Sequence, residues 1–173
     1  STQDSSSAAS DVYKRQVVKL GFGTSFVTPN LNDKLDVYRA NGIPFYFGGT
    51  LFEAFIARGQ FEDYIKLLKK FDVKYAEVSD GSIELEHSKK CEYISRLAEH
   101  VTVLSEVGSK DAEKIIPPYM WLRYMKKEMK AGAYKLIAEA RESGTVGIYR
   151  GTGEVRSGLI EEILTEIPEE TII

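Results

Sequence analysis

Residues 73–106, VKYAEVSDGSIELEHSKKCEYISRLAEHVTVLSE, decide the fold because they contain a complete strand–helix–strand unit. Residues 73–78 and 101–106 are short apolar runs rich in β-forming side chains, and each predicts a strand. Residues 88–100 lie between them, and their apolar residues recur at helical spacing. Two strands joined through a helix are expected to run parallel in one sheet.

The same unit recurs along the rest of the chain. Successive predicted strands begin about thirty residues apart, which is the length of one βα unit. We therefore predict an α/β domain of about five βα units plus the start of a sixth strand. The other predicted strands are 17–22, 44–47, 133–139 and the beginning of one at 171–173, and the other predicted helices are 31–41, 51–57, 61–71, 119–131 and 159–167.

Two architectures contain such units: the open doubly wound sheet and the closed (β/α)8 barrel. An open nucleotide-binding sheet usually carries a glycine fingerprint that opens a helix, and Gly21 and Gly23 supply only a fragment of one. In a barrel, the site instead collects one residue from each of many strand ends. Polar residues occur at the ends of several predicted strands, and this distribution favours a partial (β/α)8 TIM barrel. They are Lys19, Glu77, Glu106 and Glu139.

Residues 1–16 differ in character from the rest of the chain. They are rich in serine and have no periodic apolar pattern. Residues 11–16 resemble a translated sequencing adapter, so we expect 1–16 to be a non-native or disordered leader. We expect 17–173 to form a barrel domain that is incomplete at both ends.

Composition excludes several classes of protein. The net charge is −3 and the basic residues are scattered, which argues against a nucleic-acid partner. No apolar run is long enough for a membrane span, so no membrane partner is expected. The single cysteine, Cys91, excludes an internal disulfide and fits a cytoplasmic location. The two histidines, His87 and His100, flank a predicted helix and argue against a zinc hydrolase or a Ser-His-Asp triad.

Three glutamates recur at the ends of predicted strands, namely Glu77, Glu106 and Glu139. Carboxylates that face one site repel one another unless a cation joins them, and such hard oxygen ligands suit Mg²⁺. The alternative is that each glutamate is a solvated loop residue. Lys19 lies within an apolar strand, so it either snorkels to solvent or points into the site.

Small polar loops follow most of the predicted strands. Glycine lets the backbone approach a ligand, and N–H groups at a helix start bind anions. Thr50 has the alternative role of an N-cap. Together with the cations of Lys19, Lys110 and Arg141, these loops indicate a multiply charged anionic substrate. The candidate binding residues in the loops are Gly23, Thr24, Ser25, Gly48, Gly49, Thr50, Ser79, Asp80, Arg141, Ser143 and Gly144.

The motifs, taken in order, resemble the phosphosulfolactate synthase family. They are KLGFGTS (19–25), FGGTLFE (47–53), EVSDGS (77–82), LSEVGSK (104–110) and ARESG (140–144). The resemblance implies a (β/α)8 barrel that adds sulfite to phosphoenolpyruvate in a Mg²⁺-dependent lyase-type reaction. The product would be (2R)-3-phosphosulfolactate, an intermediate of coenzyme M or sulfolactate biosynthesis. It also implies that this chain is a fragment that lacks the first strand unit and the last two.

The resemblance also suggests roles for individual residues. Lys110 matches the family's proposed catalytic lysine and would act as general acid, with Lys19 and Glu106 as further catalytic residues. Glu77, Glu106 and Glu139 would bind Mg²⁺ or surround its ligands, and the loop residues would bind phosphate, carboxylate or sulfite. One departure is Ser109, because relatives often have a lysine there as well.

Two other functions remain as alternatives. One is a Schiff-base lyase or aldolase on the same barrel, with Lys19 or Lys110 as the nucleophile. The other is a non-catalytic relative of the family that is associated with heat stress. A homo-oligomer is also left open.

Overall fold

Five short apolar runs form parallel strands, and helices alternate with them in the computed structural model, which describes residues 17–108, 116–139 and 147–173. The strands are β1 (Val18–Leu20), β2 (Phe45–Phe47), β3 (Tyr75–Val78), β4 (Thr102–Val107) and β5 (Ala133–Ala138). The helices are α1 (Thr24–Val27), α2 (Leu31–Ala40), α3 (Gly49–Ile56), α4 (Phe61–Lys70), α5 (His87–Ala98), α6 (Pro118–Ala131) and α7 (Ser157–Glu166), followed by a 3₁₀ turn at Glu169–Thr171.

The strands form two parallel ladders whose order follows the chain. β1 pairs with β2, and β3, β4 and β5 pair in that order, while β2 packs beside β3. The register places Lys19 opposite Tyr46 and Glu106 opposite Ile137. Because side chains alternate between the two faces of a strand, this register decides which charged residues share a face.

The helices pack on one face of the strands and bury their apolar stripes against it. α4 is an example, since Phe61, Tyr64, Ile65 and Leu68 recur at helical spacing and are buried. Its first turn is acidic and its last turn is basic, which complements the helix dipole. In α6, Trp121 and Met125 are buried in the same core cluster. This layering leaves the carboxyl ends of the strands available for a site.

The sequence predictions of the elements agree closely with the structure. Each predicted end of the five strands and of the predicted helices lies within two residues of the observed end. The short helix α1 was not predicted. The predicted strand start at 171–173 is partly wrong, because Pro168 is followed by the 3₁₀ turn that contains Thr171. Only Ile172 forms a bridge, which is parallel and joins it to Leu136.

The strand pairing within the described residues gives an α/β fold without a closed barrel. β1 and β5 are the outer strands of their ladders, and beyond β5 the pairing consists of the bridge at Ile172. Within the same three ranges, no helix is both long enough and apolar enough to cross a membrane.

Gly158→Ala is expected to stabilise the protein by about 0.5–1 kcal/mol, because alanine loses less backbone entropy in a helix. Gly158 lies in α7, and a Cβ added there would meet nothing within 4 Å. The measurement is urea denaturation. Gly132→Ala is the opposite control, because Gly132 has a φ of +117° and an added Cβ would lie 3.0 Å from the Ala98 Cβ. A stabilised Gly132→Ala would contradict the left-handed end of α6.

Candidate active site

Opposite charges from three strands meet on one face of the sheet. The Lys19 ammonium on β1 donates a hydrogen bond to Glu77 Oε1 on β3 at 2.9 Å. It also lies 3.9 Å from Glu106 Oε2 on β4. The Glu77 side chain is 1% exposed, whereas the Lys19 side chain is 44% exposed. Lys19 therefore points into the site, where its cation is accessible from solvent.

The Glu77 carboxylate is held in place by a second contact from the backbone. The N–H of Gly49 donates to Glu77 Oε1 at 2.8 Å, at the first residue of α3. The other oxygen, Oε2, is buried and has no hydrogen-bond partner among the described residues. Burial, and after it the negative charge of Glu77, raises the pKa of the neighbouring Tyr46 hydroxyl. Tyr46 is thus a neutral phenol beside the Glu77 carboxyl group.

The three predicted metal ligands are all buried at strand ends. The alternative that Glu77, Glu106 and Glu139 are solvated loop residues is wrong. Nevertheless, no group of three His, Cys, Asp or Glu side chains in the described ranges is arranged to hold a metal ion. Between Glu77 and Glu106 the structure places the Lys19 ammonium.

The first two predicted anion-binding loops have different environments. Gly23 precedes α1 with a φ of +77°, and Thr24 and Ser25 lie in that helix. Gly48 is the N-cap of α3, so Thr50 lies inside the helix, and the alternative that Thr50 is an N-cap is wrong. Gly49 directs its N–H to Glu77. Contact of these residues with an anion stays a prediction.

The loop after β3 is held by hydrogen bonds to a buried glutamate that the sequence analysis missed. Glu53 of α3 accepts a hydrogen bond from the Ser79 hydroxyl at one carboxylate oxygen. It accepts another from the Ser82 N–H at 2.7 Å at its other oxygen. Ser79 is fully buried, and its hydrogen bond to Glu53 fixes the start of the loop. The predicted binding residue Asp80 lies in the same loop and pairs with Lys90.

Two further buried charges behind the site were also missed. Lys90 of α5 lies 3.0 Å from Glu128 of α6, and both side chains are almost completely buried. The sequence did contain a signal for them. Lys90 lies four residues before the buried Ile94, and Glu128 three residues after the buried Met125, so each charge continues an apolar helical stripe.

The remaining predicted site residues lie outside the described ranges. They are Lys110, Arg141, Ser143 and Gly144.

Glu53→Gln is expected to lower the free energy of unfolding by about 1 kcal/mol, because a neutral amide keeps one acceptor but loses the charge-assisted bonds. Urea denaturation measures this loss. The control is Glu62→Gln on α4, where an exposed pair with Arg96 is expected to contribute less than about 0.5 kcal/mol. Equal losses in the two variants would contradict the role of Glu53 in holding the loop.

The fold and the site together define an α/β protein of parallel strands with a charged cluster at their carboxyl ends. The family model described as (2R)-phospho-3-sulfolactate synthase matches residues 7–173. The chain therefore belongs to the phosphosulfolactate synthase family, as its motifs indicated. The match begins inside the segment 1–16, whose predicted non-native origin stays a prediction.

Curated relatives agree with the family assignment. The phosphosulfolactate synthase of Bacillus subtilis (strain 168) is 38% identical over 165 residues, which cover 94% of this chain and 65% of the relative. That of Methanothermobacter thermautotrophicus is 33% identical over 162 residues, covering 90% of this chain and 63% of the relative. That of Methanocaldococcus jannaschii is 30% identical over 162 residues, covering 90% and 64%. The chain thus spans slightly less than two thirds of the length of these relatives.

A solved structure shares the fold at low sequence identity. The spore cortex-lytic enzyme SleL of Bacillus megaterium QM B1551 matches with a TM-score of 0.51 and 14% identity. The similarity covers 84% of this chain and 38% of that protein. At this identity the similarity concerns the fold alone.

Proposed function

We propose that the protein is a phosphosulfolactate synthase that adds sulfite to phosphoenolpyruvate in a Mg²⁺-dependent reaction in the cytoplasm. The observation that carries the proposal is the cluster of Lys19, Glu77 and Glu106 at the strand ends of a chain that belongs to this family. The parallel strands in chain order support a partial (β/α)8 barrel as the scaffold. The product would enter coenzyme M or sulfolactate biosynthesis.

The residues present fit a bound Mg²⁺. Glu77 Oε2, which has no hydrogen-bond partner within 17–108, 116–139 and 147–173, is a buried, hard oxygen donor, and the Glu106 carboxylate lies on the same face of the sheet. Mg²⁺ commonly uses one or two carboxylates together with substrate oxygens, so a third carboxylate is not required. Glu77 and Glu106 would hold the ion beside the Lys19 ammonium that pairs with both of them, and Glu139 stays a candidate ligand. When bound, Mg²⁺ supplies positive charge that stabilises negative charge on substrate oxygens.

The reaction places clear demands on the side chains. The sulfur of sulfite forms a bond to C3 of phosphoenolpyruvate, and the electron pair of the C=C bond moves toward C2 and the carboxylate. A proton must then be added at C2, while the phosphate ester remains intact. The solvent-accessible Lys19 ammonium is suited to bind an anionic group of the substrate and to stabilise the developing charge. Lys110 remains the candidate proton donor.

The test is an assay of protein expressed from the longest open reading frame that contains this sequence. Phosphoenolpyruvate, sulfite and Mg²⁺ are supplied together, and ³¹P NMR follows the conversion of phosphoenolpyruvate into phosphosulfolactate. We expect product only when all three are present. Folded protein without product would overturn the proposal in favour of a non-catalytic relative. A covalent adduct after borohydride reduction would overturn it in favour of a Schiff-base lyase.

A further inference from the structure

The Lys90 ammonium is buried and has three oxygen partners. It donates to Asp80 Oδ1 at 2.9 Å and to the backbone carbonyl of Glu106 at 2.6 Å. Its third partner is Glu128 Oε1 at 3.0 Å. A lysine ammonium has three donors and no acceptor, so two hydrogen bonds and one close ion pair surround its charge with acceptors. One side chain thereby joins the loop after β3, the end of β4 and helix α6.

The charge of Lys90 is maintained by its two carboxylate partners. Burial by itself would lower the pKa of Lys90, but the charges of Glu128 and Asp80 outweigh burial and raise it. Burial likewise opposes the charge of Glu128, whose pKa is nevertheless lowered by Lys90. Glu128 also accepts a hydrogen bond from the Ser105 hydroxyl at 2.6 Å and lies 3.0 Å from His87 Nε2. Lys90, Asp80 and Glu128 therefore form a buried ion-paired network in which two carboxylates share one ammonium.

The loop after β3 is restrained by charged groups from two helices. A cavity of about 110 Å³ lies beside Asp80, and its lining includes His87, Lys90 and Glu128. The cavity is also lined by Leu85, Val107 and Tyr124. The ion pair with Lys90 restrains the Asp80 carboxylate beside it. Glu53 restrains the same loop from α3 through Ser79 and Ser82.

The contact with Glu106 links the network to the candidate active site. Lys90 binds the backbone carbonyl of Glu106, whereas the Glu106 side chain lies 3.9 Å from Lys19 across the face of the sheet. Adjacent β4 residues alternate between the faces, and Ser105 accordingly points to Glu128. Lys90 therefore holds the Glu106 backbone from the side of the helices, while the Glu106 carboxylate faces the site.

We propose that Lys90 is a positioning residue that holds the Asp80 loop and the carboxyl end of β4, so that the Glu106 carboxylate faces Lys19. The effect on catalysis rests on the proposed synthase function, whereas the effect on the loop does not. A lysine that only stabilised the fold would leave the loop no more mobile than the rest of the domain once folding was preserved.

The experiment compares three variants of the full-length protein. Lys90→Met removes the ammonium. Lys90→Met/Glu128→Gln also removes the buried carboxylate that would otherwise be left unpaired, and so keeps a folded protein available. Lys89→Met is the matched control, because the adjacent Lys89 forms an exposed pair with Glu92 on the same helix.

Amide hydrogen exchange measures the positioning directly. In the Lys90 variants, we expect exchange in peptides covering 79–86 and 105–108 to rise about tenfold, while the core helix α4 stays unchanged. If the wild type is a synthase, the double variant should also lose about 10²-fold in kcat, because misplacement of a reacting group by about 1 Å has a loss of that size. Lys89→Met should match the wild type in both measurements.

The outcomes separate the two proposals. Exchange that is unchanged in the double variant, or raised equally in α4, would overturn the positioning role. A normal kcat in the double variant of an active synthase would overturn it as well. Wild-type protein without synthase activity would overturn the proposed function alone, and a selective rise in loop exchange would still support Lys90 as the residue that holds the loop.

Discussion

Glu77→Gln is expected to lower kcat/KM of the synthase reaction by roughly 10²–10³-fold, the loss typical of removing one preorganised electrostatic group. Glu77 accepts hydrogen bonds from both Lys19 and Gly49, and its second buried oxygen has no hydrogen-bond partner in the part of the chain that the structure describes. A neutral amide of the same shape keeps the packing but gives up the charge that orients Lys19 and would hold a cation. The expected loss therefore falls on activity more than on stability.

The measurement for Glu77→Gln pairs steady-state kinetics over a range of Mg²⁺ concentrations with thermal denaturation. Glu84→Gln is the control, because Glu84 is exposed in the segment between β3 and α5. It should change kcat/KM less than twofold, since exposed surface substitutions away from the site have small effects. A Glu77→Gln variant as active as Glu84→Gln would remove Glu77 from the site.

Gly49→Ala is expected to destabilise the protein by about 3 kcal/mol and to abolish most activity, because overpacking a rigid site is costly. An ideal Cβ at Gly49 would clash with the Ser79 hydroxyl oxygen and lie 2.8 Å from Glu77 Oε1. Both neighbours are buried and held by other hydrogen bonds, so neither can move without loss. The change therefore strains the fold and displaces Glu77 together.

Urea denaturation and kinetics of Gly49→Ala and Gly48→Ala test this expectation. A Cβ at Gly48 would lie 3.0 Å from Lys19 Cε, which is the flexible end of a partly exposed side chain. The Leu20 carbonyl is farther, at 3.3 Å, so we expect Gly48→Ala to lose less than about 1 kcal/mol. If Gly49→Ala unfolded at the same urea concentration as the wild type, the close approach of α3 to β3 would be refuted.

Much of the secondary structure could be predicted because its signals are local. The apolar periods of residues 73–106 depend on near neighbours in the chain, and they locate β3, α5 and β4 within two residues. The left-handed Gly132 ends α6 where a glycine after a helical stripe predicts an end. The 3₁₀ turn that contains Thr171 was missed because Thr171 is β-branched, and β-branched residues favour strands. Pro168 and the two glutamates before Thr171 instead favour the turn that the structure shows.

The candidate site was predictable only in part. Carboxylates and a lysine at strand ends predicted a charged site, and the structure does bring Lys19, Glu77 and Glu106 together. The sequence pattern did not show that Ser79 and Asp80 are engaged by Glu53 and Lys90. Those partners lie 26 and 10 residues away, on helices whose rotation relative to the sheet depends on packing.

The sequence by itself determined the alternation of strands and helices, the parallel direction of the strands, and the family, because these follow from local periodicity and motif order. Only the tertiary structure decided that Lys19, 58 residues before Glu77, forms its ion pair. It also decided that Gly49 closes on the same carboxylate and that Lys90 supports Glu106 from the helical layer. Contacts of this kind depend on strand register and helix packing, and no local pattern encodes either of them.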